Sequence, residues 1–201
     1  MLKVGLTGSI AVGKSYICEI LRELGAFVLD ADETAREVVK PNTSGLRKIV
    51  EHFGAGILQE TGELDRVKLG AIVFADEQKR QLLNSIVHPL VVEAQTEWLA
   101  QCGKIAPQGI AVIDAALMIE SGSYQRFNKI IVVWCEPAIQ LQRLMLRNDL
   151  SEAEARRRIN AQMPQEEKKR YANFLIDTSD GFEAARERTI EIFAQLEILR
   201  N

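Results

Sequence analysis

The stretch Gly8-Ser9-Ile10-Ala11-Val12-Gly13-Lys14-Ser15 constrains the fold of this chain more than any other. It has the G-x-x-x-x-G-K-S spacing of a phosphate-binding loop, and its flanks carry the context that spacing needs. Leu2-Lys3-Val4-Gly5-Leu6 before it is a short β-prone run. After it, Ile17, Ile20, Leu21 and Leu24 recur at helical spacing, and Gly25 stands where a helix C′ residue belongs. A strand feeding a tight loop that opens a helix turns successive N–H groups toward one point, where the helix N-terminus adds partial positive charge. In that arrangement Lys14 reaches the β- and γ-phosphates of a nucleoside triphosphate and the Ser15 hydroxyl holds Mg²⁺.

Further strands follow from short, nearly continuous apolar runs, the pattern of strands covered on both faces. These are Ala26-Phe27-Val28-Leu29, Ile110-Ala111-Val112-Ile113, Lys129-Ile130-Ile131-Val132-Val133-Trp134 and Phe174-Leu175-Ile176. Their alternation with helical segments predicts an α/β fold with a parallel sheet. Ligand phosphates then bind at the carboxyl ends of the strands, where the loop after residue 6 lies.

The second and third runs are separated by far more chain than one crossover helix requires. That interval reads as helices over 32–39, 43–53, 65–74 and 76–102, the last broken near His88-Pro89. It predicts a helical insertion, about 31–105, covering one side of the phosphate loop. A second excursion, about 143–169, contains Ser151-Glu152-Ala153-Glu154, a capping box opening a helix that carries Arg156, Arg157 and Arg158.

Chemistry-bearing residues cluster at predicted strand ends. Asp30-Ala31-Asp32 follows the second strand, where a carboxylate can take the proton of a substrate hydroxyl or position Mg²⁺ through water. Alternation sends the two carboxylates the same way, provided the strand runs that far. The competing reading is that Asp32 caps the next helix. Asp114 closes the third strand in the apolar-run-then-Asp form that holds Mg²⁺ beside a nucleotide, and Glu120 belongs to the loop wall after it. Arg143 and Arg147, four apart, can meet the oxygens of a phosphoryl group in flight, and an arginine that arrives on closure also excludes water. Arg156 to Arg158 read as a solvated helix face, and His52 as surface or core filler. A GTPase is disfavoured: Asn128-Lys129-Ile130-Ile131 lacks the Asp of a guanine-reading N-K-x-D.

With 47% hydrophobic and 26% charged residues and a net charge of −3, the chain reads as one globular domain without the electrostatic footprint of a nucleic-acid binder. No apolar run approaches the ~20 residues that span a bilayer, and no signal-peptide pattern precedes the first strand. Cys18, Cys102 and Cys135 are widely spaced and read as buried thiols of a reducing compartment, so the expected location is cytoplasmic.

Several of these segments together resemble the dephospho-coenzyme A kinase family, essentially end to end. The matching residues are Gly5-Leu6-Thr7-Gly8, Asp30-Ala31-Asp32, Leu83 to Leu90 with His88-Pro89, and Ile113-Asp114-Ala115-Ala116-Leu117-Met118-Ile119-Glu120. They continue in Gln140-Leu141-Gln142-Arg143-Leu144, Arg147-Asn148-Asp149, and Arg158-Ile159 leading to Ala161-Gln162-Met163-Pro164. The resemblance implies a P-loop kinase fold with a five-stranded parallel sheet flanked by helices, a helical substrate-binding insertion and a lid. It implies ATP-dependent phosphorylation of the ribose 3′-hydroxyl of dephospho-coenzyme A, giving coenzyme A and ADP, with Mg²⁺ accompanying ATP. Catalytic roles fall on Asp32 as base, Lys14, and Arg147 as lid arginine. ATP binding falls on Gly8, Ala11, Val12, Gly13, Lys14, Ser15, Tyr16 and Arg143, substrate binding on Asp30, Asp32, His88 and Pro89, and Mg²⁺ on Ser15 and Asp114. No nucleic acid, membrane or obligate protein partner is implied.

The chain departs from the family's usual residues at Ser9 (Gly), Val12 (Ser), Tyr16 (Thr) and Ala116 (Pro), and near Thr178-Ser179-Asp180-Gly181, where an Asn is usual. Ser9 is thereby expected to take a backbone conformation that glycine adopts freely. Two alternatives remain open at this point: a kinase of another small hydroxylated metabolite, or an ATP-binding regulatory protein with degraded chemistry.

Overall fold

Each apolar run read as a strand pairs in parallel with its neighbours. The computed structural model describes residues 1–200, and among them β1 (Leu2–Thr7), β2 (Phe27–Asp30), β3 (Ile110–Asp114), β4 (Lys129–Trp134) and β5 (Phe174–Asp177) form one sheet in the order β2-β3-β1-β4-β5. The helices are α1 (Lys14–Glu23), α2 (Ala31–Glu37), α3 (Ser44–Phe53), α4 (Arg66–Ala75), α5 (Glu77–Ile105), α6 (Pro137–Asn148), α7 (Glu152–Asn160), α8 (Gln165–Lys169) and α9 (Phe182–Leu199). The chain divides into two compact units, one of residues 1–30 with the chain from Cys102 onward, the other Ala31–Gln101.

The first unit holds the sheet. Successive side chains of a strand point to opposite faces, and β4 shows what this does. Ile131 and Val133 join a core with Val4, Leu6, Ile17, Leu21, Ile192 and Leu196, drawn from β1, α1 and α9. Ile130 and Val132 pack on the other side with Met118 and Ile119, against Phe127 and Met163. Both faces are covered, which is why the strands read as unbroken apolar runs. Ile131 is fully buried, and Ile131→Ala is expected to remove about 2–5 kcal/mol of stability.

Local signals set the helix ends. Gly25, at φ 95°, closes α1 in the left-handed region, and its N–H donates to the Arg22 carbonyl at 3.0 Å. Pro137 occupies the first turn of α6, and Ser151 and Glu154 form the reciprocal capping box at α7.

The second unit is helical around its own core of Val39, Leu46, Ile49, Ile57, Leu64, Leu69 and Ile86. Thr43 caps α3 by accepting from the Leu46 N–H, and Asp65 caps α4 by accepting from the N–H groups of Val67 and Lys68.

Two expectations are corrected here. The helix carrying His88-Pro89 is not broken there: α5 runs through Pro89 from Glu77 to Ile105. Proline removes one intrahelical hydrogen bond, and the turns on both sides outweigh that loss. The second strand stops at Asp30 and α2 starts at Ala31. Strand alternation therefore does not align Asp30 with Asp32, and Asp32 stands inside the first turn of α2 rather than at its cap.

Candidate active site

The phosphate loop leaves β1 at Thr7 and enters α1 at Lys14. Gly8 is required by proximity, because a Cβ there would lie 2.3 Å from the Val133 carbonyl oxygen. Gly13, the residue before α1, has φ 90°, a conformation few side-chain-bearing residues adopt. The other left-handed residue of the loop is Ala11, at φ 62°. Ser9 lies outside that region, so the demand expected of it falls two positions later; Ser9 is instead buried. Val12 is fully buried in the sheet core, which explains how an apolar residue is accommodated in the loop.

Lys14 and Asp114 bring two predicted groups together, with Nζ 4.0 Å from the carboxylate and both side chains about one-sixth exposed. Cys18, one turn along α1, donates its thiol to Asp114 Oδ2 at 3.5 Å. Burial pushes that thiol's pKa up, and the neighbouring Asp114 carboxylate pushes it further, so Cys18 stays protonated and unreactive. Asp30 ends β2 in register with Asp114. Because β3 separates β2 from β1, Asp30 neighbours Asp114 and not the phosphate loop's own strand.

A cavity of about 450 Å³ adjoins the loop, lined by Ala11, Gly13, Tyr16, Arg143, Leu146, Arg147, Thr178 and Phe182. Tyr16 meets Phe182 edge to face at 4.8 Å between ring centres. Arg143 donates to the Thr178 hydroxyl and carbonyl, both at 2.8 Å, and is thereby fixed in the wall. Arg147 is exposed, bonded through Nε to the Asn148 side chain at 3.0 Å. A larger cavity, about 660 Å³, is lined by Gly25, Phe27, Gly109, Ile110 and Phe193, at the amino ends of β2 and β3 and so away from the phosphate loop. The smaller cavity is the one that adjoins the phosphate loop and the two arginines, Arg143 and Arg147.

Spacing does not reveal the segment after α7, which links three strand-end loops. Gln162 Oε1 accepts from the Ile10 N–H at 2.8 Å, and Met163 N–H donates to Glu120 at 3.2 Å. Gln165 accepts from the Cys135 N–H at 3.1 Å and donates to the Cys135 carbonyl and to Gln140 Oε1, at 3.1 and 2.9 Å. Lys168, fully buried, donates to the Ala116 carbonyl and pairs with Glu120, both at 2.7 Å. Ala116 also accepts from the Thr7 hydroxyl at 3.2 Å. Burial pulls the Lys168 pKa below the ordinary lysine value, and the bond to Glu120 opposes that pull. The sequence signal for this network is that Thr7, Ala116, Glu120, Gln140, Gln162 and Met163 sit within segments carrying the family resemblance; Gln165 and Lys168 lie outside them.

Asp32, His88 and Pro89 belong to the helical unit. Asp32 is exposed in the first turn of α2, and His88 and Pro89 are exposed along α5. Among the described residues no cluster of three or more His, Cys, Asp or Glu side chains could hold a metal by itself.

A sequence profile of the dephospho-CoA kinase family matches residues 2–183. The chain is 46% identical over 201 residues to a dephospho-CoA kinase of Geobacillus kaustophilus, covering 98% of each chain. It superposes on a dephospho-CoA kinase from Campylobacter jejuni with a TM-score of 0.75 and 28% identity, over 99% of this chain and 98% of that one. A shikimate kinase from Bacteroides thetaiotaomicron, 14% identical with a TM-score of 0.51 over 98% of each chain, shares the fold.

Proposed function

The chain belongs to the dephospho-CoA kinase family, whose members transfer phosphate from ATP to a hydroxyl, and we propose that it does so at the ribose 3′-hydroxyl of dephospho-CoA with the following division of labour. The loop N–H groups and Lys14 hold the β- and γ-phosphates, where the charge of the moving phosphoryl group is met by fixed positive dipoles. The adenine base enters the cavity bounded by Tyr16, Phe182, Leu146 and the fixed Arg143. Arg147, exposed beside that cavity, is free to swing onto the transferring group when segment 143–169 closes as a lid, excluding water. Asp32 takes the proton of the acceptor hydroxyl, which must leave as oxygen attacks phosphorus. The Ala31–Gln101 unit, carrying His88 and Pro89, holds the acceptor substrate.

The donor set fits Mg²⁺. Ser15 and Asp114 offer hard oxygens, and a cation that keeps several waters and binds ATP phosphates needs only one or two protein ligands. Bound there with ATP, the ion neutralises phosphate charge. A cytoplasmic setting belongs to the same proposal: Cys18, Cys102 and Cys135 are free thiols, at home in a reducing compartment.

The observation that carries this reading is the Lys14–Asp114 pair at the mouth of a correctly curled phosphate loop. The family match favours neither alternative, the kinase of another metabolite or the inactive regulator. A coupled ADP-release assay tests the proposal: ADP and coenzyme A should form together from ATP and dephospho-CoA. Absence of product, under conditions where a control dephospho-CoA kinase makes it, overturns it.

A further inference from the structure

Ala11 holds a left-handed backbone conformation, φ 62°, that disfavours any residue with a Cβ by about 1–2 kcal/mol. Such a conformation persists only where its surroundings over-determine it. The surroundings here are side chains reaching in from outside the loop. On one flank, the Ile10 N–H donates to Gln162 Oε1 at 2.8 Å, and the Ile10 carbonyl accepts from Gln140 Nε2 at 2.8 Å. On the other, the Val12 carbonyl accepts from the Thr178 hydroxyl at 2.9 Å. Gln140 is buried and tied to Gln165, and Thr178 is buried and tied to Arg143, so both belong to the rigid frame. Gln162 differs, because it stands in the turn just after α7, at the root of the segment that carries Arg156 to Arg158.

We infer that Gln162 is a positioning residue: its side-chain oxygen fixes the Ser9–Ile10 peptide through the Ile10 N–H and, with Gln140 on the Ile10 carbonyl, keeps Ala11 in the left-handed turn that aims the loop N–H groups at the nucleotide phosphates. The inference rests on the reading that this loop binds ATP. Without the Gln162 acceptor, the Ser9–Ile10 peptide is released, and only Gln140 and Thr178 are left to oppose relaxation of the strained turn at Ala11. The loop must then be reshaped at the moment of ATP binding, and affinity for ATP falls while affinity for the acceptor does not. Glycine at position 11 takes the same turn without strain, so it removes the need for the clamp.

Gln162→Met keeps the side chain's length and removes the acceptor. We expect it to raise the KM for ATP about tenfold while leaving the KM for dephospho-CoA within twofold and Tm within about 2 °C. In an Ala11→Gly background the same substitution should raise the ATP KM less than threefold. An ATP KM within twofold of the parent overturns the inference, as does a tenfold rise that persists with glycine at position 11. If the parent makes no coenzyme A, the functional reading fails separately. Calorimetric ATP binding to the same four proteins then decides the inference by the same ratios.

Discussion

The ammonium of Lys168 lies 2.7 Å from both the Ala116 carbonyl oxygen and the Glu120 carboxylate, with none of its side chain exposed. It pins the loop that follows Asp114, and Asp114 faces Lys14. Removing one partner of a buried ion pair is strongly destabilising because the other is stranded. Here the Glu120 side chain keeps 23% exposure and can turn to water, which moderates the loss. Lys168→Met is expected to cost about 2 kcal/mol, lowering Tm by roughly 4–8 °C in thermal unfolding. An unchanged Tm would show that the bond to Ala116 adds nothing.

Phe182 is the exposed aromatic wall of the cavity beside the phosphate loop, 65% exposed and edge-on to Tyr16. Its solvent exposure means that truncation removes little folding energy, whereas a stacked base loses its neighbour. An aromatic pair contributes about 0.5–1.5 kcal/mol beyond area burial, so Phe182→Ala should raise the KM for ATP roughly two- to tenfold. Steady-state kinetics with ATP varied should show kcat little changed, the signature of lost uniform binding. A fall in kcat with unchanged KM would place the base elsewhere.

Acid should loosen α7 before the sheet. Bonds from the Ser151 hydroxyl and N–H hold the Glu154 carboxylate below its ordinary pKa. Because the folded-state value is depressed, the cap's contribution is fully present above the ordinary glutamate pKa of about 4.3 and is lost as pH falls through the lower folded-state value. Hydrogen exchange at residues 152–160 should accelerate across that acid window, relative to a Glu154→Gln variant whose exchange there does not depend on pH beyond the intrinsic rate. Equal pH dependence in the two proteins would contradict the role of the capping box.

Spacing made the strand–loop–helix turn around Lys14 and the strand-end place of Asp114 legible, because each is confined to a few consecutive residues. Strand existence was legible for the same reason: Lys129 to Trp134 is apolar enough to be a covered strand wherever it pairs. Strand order was not, since nothing in the run Phe27 to Asp30 records that β3 will lie between it and β1. The glutamines were invisible for a different reason. Gln140 and Gln162 bond to main-chain groups of Ile10 that are 130 and 152 residues away in sequence, and a main-chain partner leaves no trace in residue type. The shift of backbone demand from Ser9 to Ala11 is of the same kind: a family's usual glycine marks where glycine is found, not which residue must turn left-handed.

Asp32 is the group proposed to take the acceptor's proton. Its motivation is its place two residues beyond the end of β2, in the first turn of α2, exposed to solvent, together with the family membership of the chain. Asp32→Asn keeps the shape and removes the basicity. General-base catalysis contributes roughly 10²–10⁴-fold, so kcat for coenzyme A formation from saturating ATP and dephospho-CoA should fall by about that factor while calorimetric ATP binding stays within threefold. A kcat unchanged in Asp32→Asn would contradict it.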